Sequence, residues 1–336
     1  MKHILVTGVC GFIGFHLAKR LLSEGAVIVG IDNLNPYYEV TLKERRLSLL
    51  REKRGFFFIR GDLADRVLVE DLFSKYDFST VVHLAAQAGV RHSIIEPYSF
   101  LESNLSGLFP LLEGCRNNRV RHFLFASSSS VYGANSTVPF SEHHAVDHPV
   151  SLYAATKRAG ELLAHSYSSL YAIPTTGLRF FTVYGPWGRP DMAYYRFTRL
   201  IHEGAPIDVY NYGKMRRDFT YIDDIIEGVV RIMKKPPKTD PSRPGKNLDP
   251  ASSAAPFRIY NIGRGEPVEL LRFIEIIEEE LGKKAQKNLL PMQKGDVVET
   301  YADISDLKRE TGFLPKTTVE EGLRRFVMWY REYHRV

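Results

Sequence analysis

The sequence of 336 residues has few cysteines and no long apolar run. Cys10 and Cys115 could form at most one disulfide and show no metal-ligand spacing, so we expect a cytoplasmic protein without a metal site. The first apolar run, residues 4–6, stops at Thr7 and Gly8, well short of a signal-peptide core. Because no stretch approaches the ~20 apolar residues of a transmembrane helix, no membrane contact is expected.

Charge of one sign is not concentrated anywhere in the chain. The formal net charge of +6 arises from short clusters such as residues 43–46, 51–54 and 214–217. These clusters lack interleaved aromatic residues and any nucleic-acid-reading motif, so no nucleic acid partner is expected. Most such clusters are solvated surface, and a small anionic substrate would use the remaining charge.

Short apolar and β-branched runs alternate with helical patterns in the first half of the chain. Runs that are apolar throughout are typical of parallel strands buried on both faces. Joined by helices, they predict an α/β fold with a doubly wound parallel sheet of Rossmann type. The strand candidates are residues 4–7, 27–31, 56–60, 80–84, 123–127 and 176–181.

A glycine-rich segment follows the first predicted strand and opens a helix. Gly8, Gly11 and Gly14 would let the backbone turn tightly and approach a pyrophosphate at the helix N-terminus. Asp32 ends the second strand, where a carboxylate accepts the ribose hydroxyls of NAD and repels the 2′-phosphate of NADP. The order of strand, loop, helix and acid therefore favours NAD, whereas a glycine-rich turn with a surface aspartate is the alternative.

Tyr153 and Lys157 lie four residues apart in a helical pattern, which places them on one helix face. The ammonium would lower the pKa of the phenol, and the phenolate could take a proton from a substrate hydroxyl. This spacing is common by chance in a chain with 18 tyrosines. Here, however, the pair follows four serines, residues 127–130, at the end of the fifth strand, where parallel sheets bind their ligands.

With these motifs in register, the chain resembles the extended short-chain dehydrogenases over nearly its whole length. The resemblance implies that Tyr153 is the base, that Lys157 also holds the nicotinamide ribose, and that Ser128 shares the substrate hydroxyl. It further implies a tightly held NAD that is regenerated in each turnover. The implied cofactor-binding residues are Gly8, Gly11, Phe12, Ile13, Gly14, Asp32, Asn33, Lys43, Asp62, Leu63, Leu84, Ala85, Ala86, Gln87, Asn104, Tyr153 and Lys157.

The four serines at residues 127–130, called the serine row below, also bear on the reaction. Relatives on this scaffold catalyse epimerisation, dehydration, decarboxylation or reduction. The dehydratases carry an Asp-Glu pair, and the decarboxylating enzymes a Glu, just before the Val-Tyr-Gly motif. This chain has Ser129 and Ser130 there. Without an acid to handle protons at C5, oxidation and re-reduction at C4 is the expected chemistry, which is that of a 4-epimerase.

Beyond Gly185 the chain becomes rich in proline, glycine and aromatic residues, which predicts a smaller, interleaved C-terminal substrate-binding lobe. Helical patterns at residues 194–203 and 223–233 and a strand-like run at 258–261 belong to this half. We predict an NAD-binding domain at residues 1–185, to which residues 218–234 and 257–264 return, a nucleotide-sugar lobe at residues 186–217 and 265–336, and a surface insertion at residues 236–256.

Residues 179–192, Lys246, Asn247, Pro250 and residues 292–296 resemble the UDP-glucuronic acid 4-epimerases. Lys294 departs from them, since relatives commonly have proline there. The resemblance implies that Arg189, Thr182 and the serine row receive the uronate carboxylate and that Arg217, Gln293 and Asp296 hold the UDP. The full substrate-binding prediction is Ser127, Ser128, Ser129, Ser130, Thr182, Arg189, Val209, Arg217, Gln293 and Asp296.

A uronate substrate would give Arg189 a chemical purpose. The 4-keto intermediate would be a β-keto acid, and pinning its carboxylate out of alignment with the carbonyl would suppress decarboxylation. Replacing Arg189 or Thr182 should then weaken binding or release a pentose product. Alternatively, Arg189 only braces its loop.

Several functions stay open at this point. A 4-epimerase of a neutral UDP-hexose or UDP-N-acetylhexosamine shares every cofactor residue, and a UDP-glucuronate decarboxylase or a non-catalytic NAD-binding protein would share the fold. The resemblance also implies a homodimer that pairs through helices at residues 97–115 and 151–171.

Overall fold

A computed structural model describes residues 2–242, 249–293 and 296–336. Lys246, Asn247 and Lys294, which entered the comparison of motifs above, lie outside the described residues. The strands are β1 (His3–Thr7), β2 (Ile28–Asp32), β3 (Phe56–Arg60), β4 (Phe78–His83), β5 (His122–Ser128), β6 (Thr175–Phe180), β7 (Thr182–Tyr184), β8 (Ile207–Tyr210), β9 (Arg216–Tyr221), β10 (Phe257–Ile262), β11 (Pro267–Glu269), β12 (Lys287–Leu290) and β13 (Glu299–Thr300).

The helices connect these strands. One turn of π-helix, Glu102–Ser106, lies between α5 and α6. The α-helices are α1 (Phe12–Ser23), α2 (Val40–Arg51), α3 (Arg66–Lys75), α4 (His92–Ile95), α5 (Pro97–Leu101), α6 (Leu108–Asn117), α7 (Leu152–Tyr171), α8 (Ala193–Glu203), α9 (Ile222–Met233), α10 (Leu270–Leu281), α11 (Ser305–Thr311) and α12 (Val319–His334).

Seven parallel strands form the central sheet, in the order β10-β6-β5-β4-β1-β2-β3. Each of the six strands expected from the first half of the sequence is present within two residues of its predicted bounds. Helices α1, α2 and α9 pack on one face, and α3, α6 and α7 on the other. The doubly wound α/β fold is therefore confirmed, and the central strands are apolar throughout because both of their faces are covered.

The second half of the chain is interleaved with the first. Strand β9 lies at the centre of a small sheet, with β7, β11 and β13 as neighbours, while β8 pairs with β12. Of the two segments predicted to return to the first lobe, the later one supplies β10 at the edge of the central sheet. The earlier segment contributes to both lobes, because β9 joins the small sheet whereas α9 packs on α1.

The described end of the insertion is more ordered than a surface loop. Ala251 and Ser252 are buried, and Ser252 forms an antiparallel β-bridge with Arg258 of β10. The ring of His165 on α7 hydrogen-bonds the Ser253 hydroxyl at 2.9 Å. Residues 249–256 therefore pack against the first lobe, although their small and polar composition predicts only a loop.

The described ranges hold no candidate for a membrane span or for a metal site. No helix there has both the length and the apolar character that a bilayer crossing requires. In the same ranges, no three histidine, cysteine, aspartate or glutamate side chains are grouped so that they could hold a metal ion.

Candidate active site

A cleft of about 780 Å³ opens across the carboxyl ends of the central strands and is closed on its far side by the small sheet. This is the edge at which doubly wound sheets bind ligands. Most of the predicted site residues line it, namely Gly8, Gly11, Phe12, Ile13, Gly14, Asp32, Asn33, Lys43, Asp62, Leu63, Leu84, Ala85, Ala86, Gln87, Ser127, Ser128, Ser129, Ser130, Tyr153, Lys157, Thr182, Arg189, Arg217 and Asp296.

The glycine loop turns back on itself between β1 and α1. Gly8 has a φ of +65°, a conformation that favours glycine, and its carbonyl accepts the Gly11 N–H at 2.9 Å. A Cβ on Gly14 would lie 2.2 Å from the Gly8 carbonyl oxygen, and one on Gly8 would lie 2.7 Å from the Ala85 nitrogen. The turn can therefore form only with glycine at these positions, and it leaves the α1 N-terminus open to the cleft.

The carboxylate of Asp32 stands beside this turn and is almost buried. It accepts the backbone N–H groups of Cys10 at 2.9 Å and Leu34 at 2.8 Å, which fix its orientation. A helix N-terminus, a glycine cradle and a carboxylate at the second strand match the pyrophosphate and adenosine ribose of a dinucleotide. These residues therefore fit NAD.

Two further predicted residues support the cofactor side of the cleft in different ways. Gln87 lines the cleft, whereas Asn104 lies buried behind it. The Asn104 amide accepts the Gln87 N–H at 2.8 Å and donates to the Gln87 carbonyl at 3.1 Å and the Thr156 hydroxyl at 3.0 Å. Asn104 thus ties the loop after β4 to helix α7, one residue before Lys157.

Helix α7 presents Tyr153 and Lys157 to the cleft. The helix is capped by Ser151, whose hydroxyl accepts the Ala154 N–H at 3.1 Å, so that Tyr153 lies in the first turn and Lys157 one turn later. Ser128, at the end of β5, caps the short turn that holds Ser129 and Ser130. The strand end and the helix start therefore bring the three predicted catalytic side chains to one place.

The pKa shifts of Tyr153 and Lys157 differ from those expected from their spacing. Burial raises the pKa of Tyr153, and a hydrogen bond with Ser128 and the charge of Arg189 oppose this only in part. Burial also lowers the pKa of Lys157 to about 8, and its ammonium donates to the Ala126 carbonyl at 3.0 Å. The expected lowering of the phenol pKa by Lys157 is therefore not the dominant effect.

Ser127 is committed to a buried ion network below the cleft. Its hydroxyl donates to Glu161 at 2.6 Å, and that carboxylate is held by Arg179 through two hydrogen bonds of 2.8 and 2.9 Å. Arg158 adds a third cationic contact at 3.0 Å. All four serines line the cleft, but the hydroxyl of Ser127 is bound to Glu161 and therefore stabilises the strand end.

Arg189 reaches the cleft together with an acidic partner. Its Nε and Nη2 donate to the Asp191 carboxylate at 3.0 and 2.5 Å, and the Tyr37 hydroxyl donates to the same carboxylate at 3.2 Å. The pairing raises the pKa of Arg189 despite burial and lowers that of Asp191. Because Nε and Nη2 are both taken by Asp191, Nη1 is the part of the guanidinium that is left to meet a ligand.

The far end of the cleft is built from both lobes. Arg217 donates to the carbonyls of Val297 at 2.6 Å and Val298 at 3.0 Å, which secures the segment behind Asp296. Asp296 in turn accepts from Arg91 at 3.1 Å. Arg217, Asp296 and Arg91 therefore line one end of the cleft together, and contact of Arg217 and Asp296 with UDP stays a prediction.

Two predicted substrate residues are placed outside the cleft lining. The side chain of Val209 is fully buried in the main hydrophobic core, and only its neighbours Asp208 and Tyr210 face the cleft. Gln293 is half-buried and its carbonyl accepts the Asp296 N–H at 3.3 Å. Substrate contacts by these two residues stay predictions.

The structure adds residues that the motifs did not identify. Tyr37, Arg91, Asp191, Arg196 and Tyr210 all line the cleft. Asp191 could have been noticed as an acid two positions after Arg189 in a proline-containing loop. Arg91 and Tyr210 carry no such signal, since their cation–π contact of 4.8 Å joins distant parts of the chain.

Several known proteins are similar to this chain over nearly its whole length. Protein CapI of Staphylococcus aureus is 51% identical over 332 residues and covers 99% of both chains. A probable UDP-glucuronate 4-epimerase of Rhizobium meliloti is 49% identical over 332 residues, covering 98% of this chain and 97% of its own. The solved UDP-glucuronic acid 4-epimerase from Bacillus cereus, in complex with UDP-glucuronic acid and NAD, is 34% identical with a TM-score of 0.86 and covers 99% of this chain and 100% of its own.

The dinucleotide cradle and the tyrosine, lysine and serine site define an enzyme of the extended short-chain dehydrogenase/reductase class. Within that class, the chain belongs to the NAD dependent epimerase/dehydratase family, whose model matches residues 4–263.

Substituting Gly14 with alanine is expected to lower the affinity for NAD at least about tenfold, because the new Cβ would displace the turn that cradles the pyrophosphate. Dinucleotide released from the denatured protein, measured by chromatography, reports the occupancy. Gly160→Ala is the matched control, since Gly160 is also helical and its Cβ would meet only Leu108 Cδ2 at 3.5 Å. Full NAD occupancy in the Gly14 variant would contradict the assignment of the turn.

Proposed function

We propose that this protein interconverts UDP-glucuronate and UDP-galacturonate as an NAD-dependent 4-epimerase. The observation that carries the proposal is the composition of the site, in which Tyr153, Lys157 and Ser128 face the cleft while residues 129 and 130 are serines and not acids. The names of the Rhizobium meliloti and Bacillus cereus relatives support the same substrate. NAD, when bound, accepts the C4 hydride of the sugar and returns it.

The side chains of this protein would manage the accompanying proton. Tyr153, as the phenolate, takes the O4 proton of the sugar, and as the phenol it gives that proton back after the keto-sugar has rotated about its link to UDP. Ser128 hydrogen-bonds the same oxygen, and its hydrogen bond with the phenol lowers the pKa of Tyr153 against the effect of burial, while Lys157 would hold the nicotinamide ribose. Because the keto-sugar rotates between the two half-reactions, it presents opposite faces of C4 to the nicotinamide.

The uronate carboxylate would lie against the polar wall formed by Arg189, Thr182 and the serine row. Charge-assisted hydrogen bonds from Arg189 Nη1 and from the hydroxyls would hold it out of alignment with the C4 carbonyl, which suppresses loss of carbon dioxide. This arrangement distinguishes a 4-epimerase from a decarboxylase on the same scaffold.

A second candidate is a 4-epimerase of a neutral UDP-hexose or UDP-N-acetylhexosamine. The observation in its favour is the ion pair between Arg189 and Asp191, because an arginine with a carboxylate partner needs no anionic substrate. The cofactor residues do not discriminate between the two candidates.

Incubation of the purified protein with UDP-glucuronate, without added NAD, separates these functions. We expect UDP-galacturonate to form without net NADH, because the bound cofactor is regenerated. Accumulation of a UDP-pentose without net NADH, or of a UDP-4-keto-pentose with NADH in an amount equal to the bound cofactor, would indicate decarboxylation. Turnover of UDP-glucose with no reaction of UDP-glucuronate would assign the protein to the second candidate.

We also propose a homodimer that pairs through residues 97–115 and 151–171. Large apolar side chains on and beside these helices are exposed, with Tyr98 82%, Leu170 69% and Leu162 56% accessible. An apolar surface of this kind is typical of an interface between subunits. Sedimentation equilibrium should give a mass twice that of the 38.3 kDa chain.

A further inference from the structure

Arg46 is a fully buried arginine that does not line the cleft. It lies on α2, between the cleft-lining Lys43 and the core of the first lobe, and its neighbour Arg45 is exposed. A buried guanidinium has lost its hydration and must recover that free energy from protein acceptors. Its partners therefore indicate what the residue does.

The guanidinium of Arg46 makes four hydrogen bonds. Nη1 donates to the carbonyl of Cys10 at 2.9 Å and to the hydroxyl of Tyr38 at 2.7 Å. Nη2 donates to the carbonyls of Trp187 at 2.6 Å and Gly188 at 3.1 Å. These acceptors are three carbonyl oxygens and a phenol, so none of them neutralises the charge.

The segments joined by Arg46 belong to two different binding regions. Cys10 lies within the glycine loop, and its N–H orients the Asp32 carboxylate. Trp187 and Gly188 immediately precede Arg189. One side chain thus connects the cradle for the dinucleotide to the loop that carries the arginine facing the sugar.

The loop before Arg189 has little freedom to adopt another path. Trp187 has a φ of +62°, a left-handed conformation that is unusual for a bulky residue, and its carbonyl is one of the Arg46 acceptors. A Cβ on Gly188 would lie 1.7 Å from the Tyr194 hydroxyl. The contacts of Arg46 therefore hold an otherwise unfavourable backbone in place.

We propose that Arg46 is a positioning residue that sets the affinity of the site for an anionic sugar, acting through the loop of Arg189. It places that loop at a defined distance from the cofactor cradle, and its charge, which none of its four hydrogen-bond acceptors neutralises, adds to the positive potential behind the sugar. The proposal rests on the proposed function, because it assumes that Arg189 meets the uronate carboxylate. The UDP end of the cleft, at Arg217 and Asp296, is held by other contacts and is independent of Arg46.

The test compares Arg46→Met with Arg45→Met, which removes the same charge from an exposed position one residue away. We expect Arg46→Met to raise the KM for UDP-glucuronate about tenfold or more and to release some UDP-pentose, with a smaller change in kcat. The inhibition constant of UDP, which has no sugar carboxylate, should stay within about twofold of the unmodified value. Arg46→Lys, which keeps the charge but not the fork of donors, should give an intermediate KM.

Two outcomes would overturn the proposal. One is a KM for UDP-glucuronate in Arg46→Met within about twofold of that in Arg45→Met. The other is an equal rise in the KM and in the UDP inhibition constant, which would indicate a general structural role. If Arg46→Met does not fold, Arg46→Lys is used for the same two comparisons. These are its KM against that of Arg45→Met, and the rise in its KM against the rise in its UDP inhibition constant.

Failure of the proposed function would be recognised separately, because the unmodified protein would then not epimerise UDP-glucuronate. Calorimetric titration of UDP-glucuronate and UDP into the unmodified protein and the Arg46 variants still measures the anion preference in that case. Loss of this preference in the Arg46 variants supports the positioning role, and its retention contradicts it.

Discussion

Replacing Tyr153 with phenylalanine is expected to lower kcat for UDP-glucuronate epimerisation by about 10³-fold while the protein keeps its NAD. The substitution removes only the hydroxyl that exchanges the O4 proton. The ring would still pack edge-on against Phe100, whose centroid lies 6.0 Å away, so the fold should be retained. Initial rates from chromatography of the sugar nucleotides, together with dinucleotide released on denaturation, measure both quantities.

Tyr212→Phe is the matched control, because Tyr212 is 53% exposed and lies outside the cleft. It should retain the unmodified rate. A Tyr153 variant with more than a tenth of that rate would show that another group exchanges the proton. Loss of NAD from the Tyr153 variant would instead show that the phenol acts in cofactor binding.

The second large effect is on stability. Glu161→Gln is expected to lower the free energy of unfolding by about 3 kcal/mol or more, because it leaves the buried Arg179 without a countercharge. The amide also weakens the contacts to Ser127 and Arg158. Urea unfolding with a constant excess of NAD, followed by circular dichroism, measures the change.

Glu332→Gln removes the same charge from an exposed position on α12 and should change the free energy of unfolding by less than about 0.5 kcal/mol. If Glu161→Gln also lowers the free energy of unfolding by less than about 1 kcal/mol, solvent or another group must neutralise Arg179. The ion network below the serine row would then contribute little to the stability of the strand end.

The parts of the site that the sequence predicts are those defined by local chain geometry. Gly8, Gly11 and Gly14 act within one turn, and Tyr153 and Lys157 within one helix, so their spacing alone predicts which side chains act together. The parallel strands can likewise be predicted from the sequence, because burial of both faces makes them apolar throughout.

What escapes prediction depends on contacts between distant segments. Nothing in the pattern around Arg189 indicates that Arg46 orders its loop or that Tyr37 shares its acidic partner. Short strands such as β7 and β13 have no periodicity of their own and form because β9 provides an edge. The pKa of Tyr153 is likewise set by burial in the assembled cleft and not by its spacing from Lys157.

The position of β10 limits how the chain can be divided. Strand β6 pairs with β5 on one side and with β10 on the other, and β10 is supplied from residues 257–262. A fragment that ends at residue 185 would expose the hydrogen-bonding groups of β6 as an open edge, which invites association with other chains. Autonomous folding of the first lobe is therefore not expected. During synthesis the edge of β6 stays unpaired until more than seventy further residues have been added, which takes roughly seven seconds at ~10 residues per second.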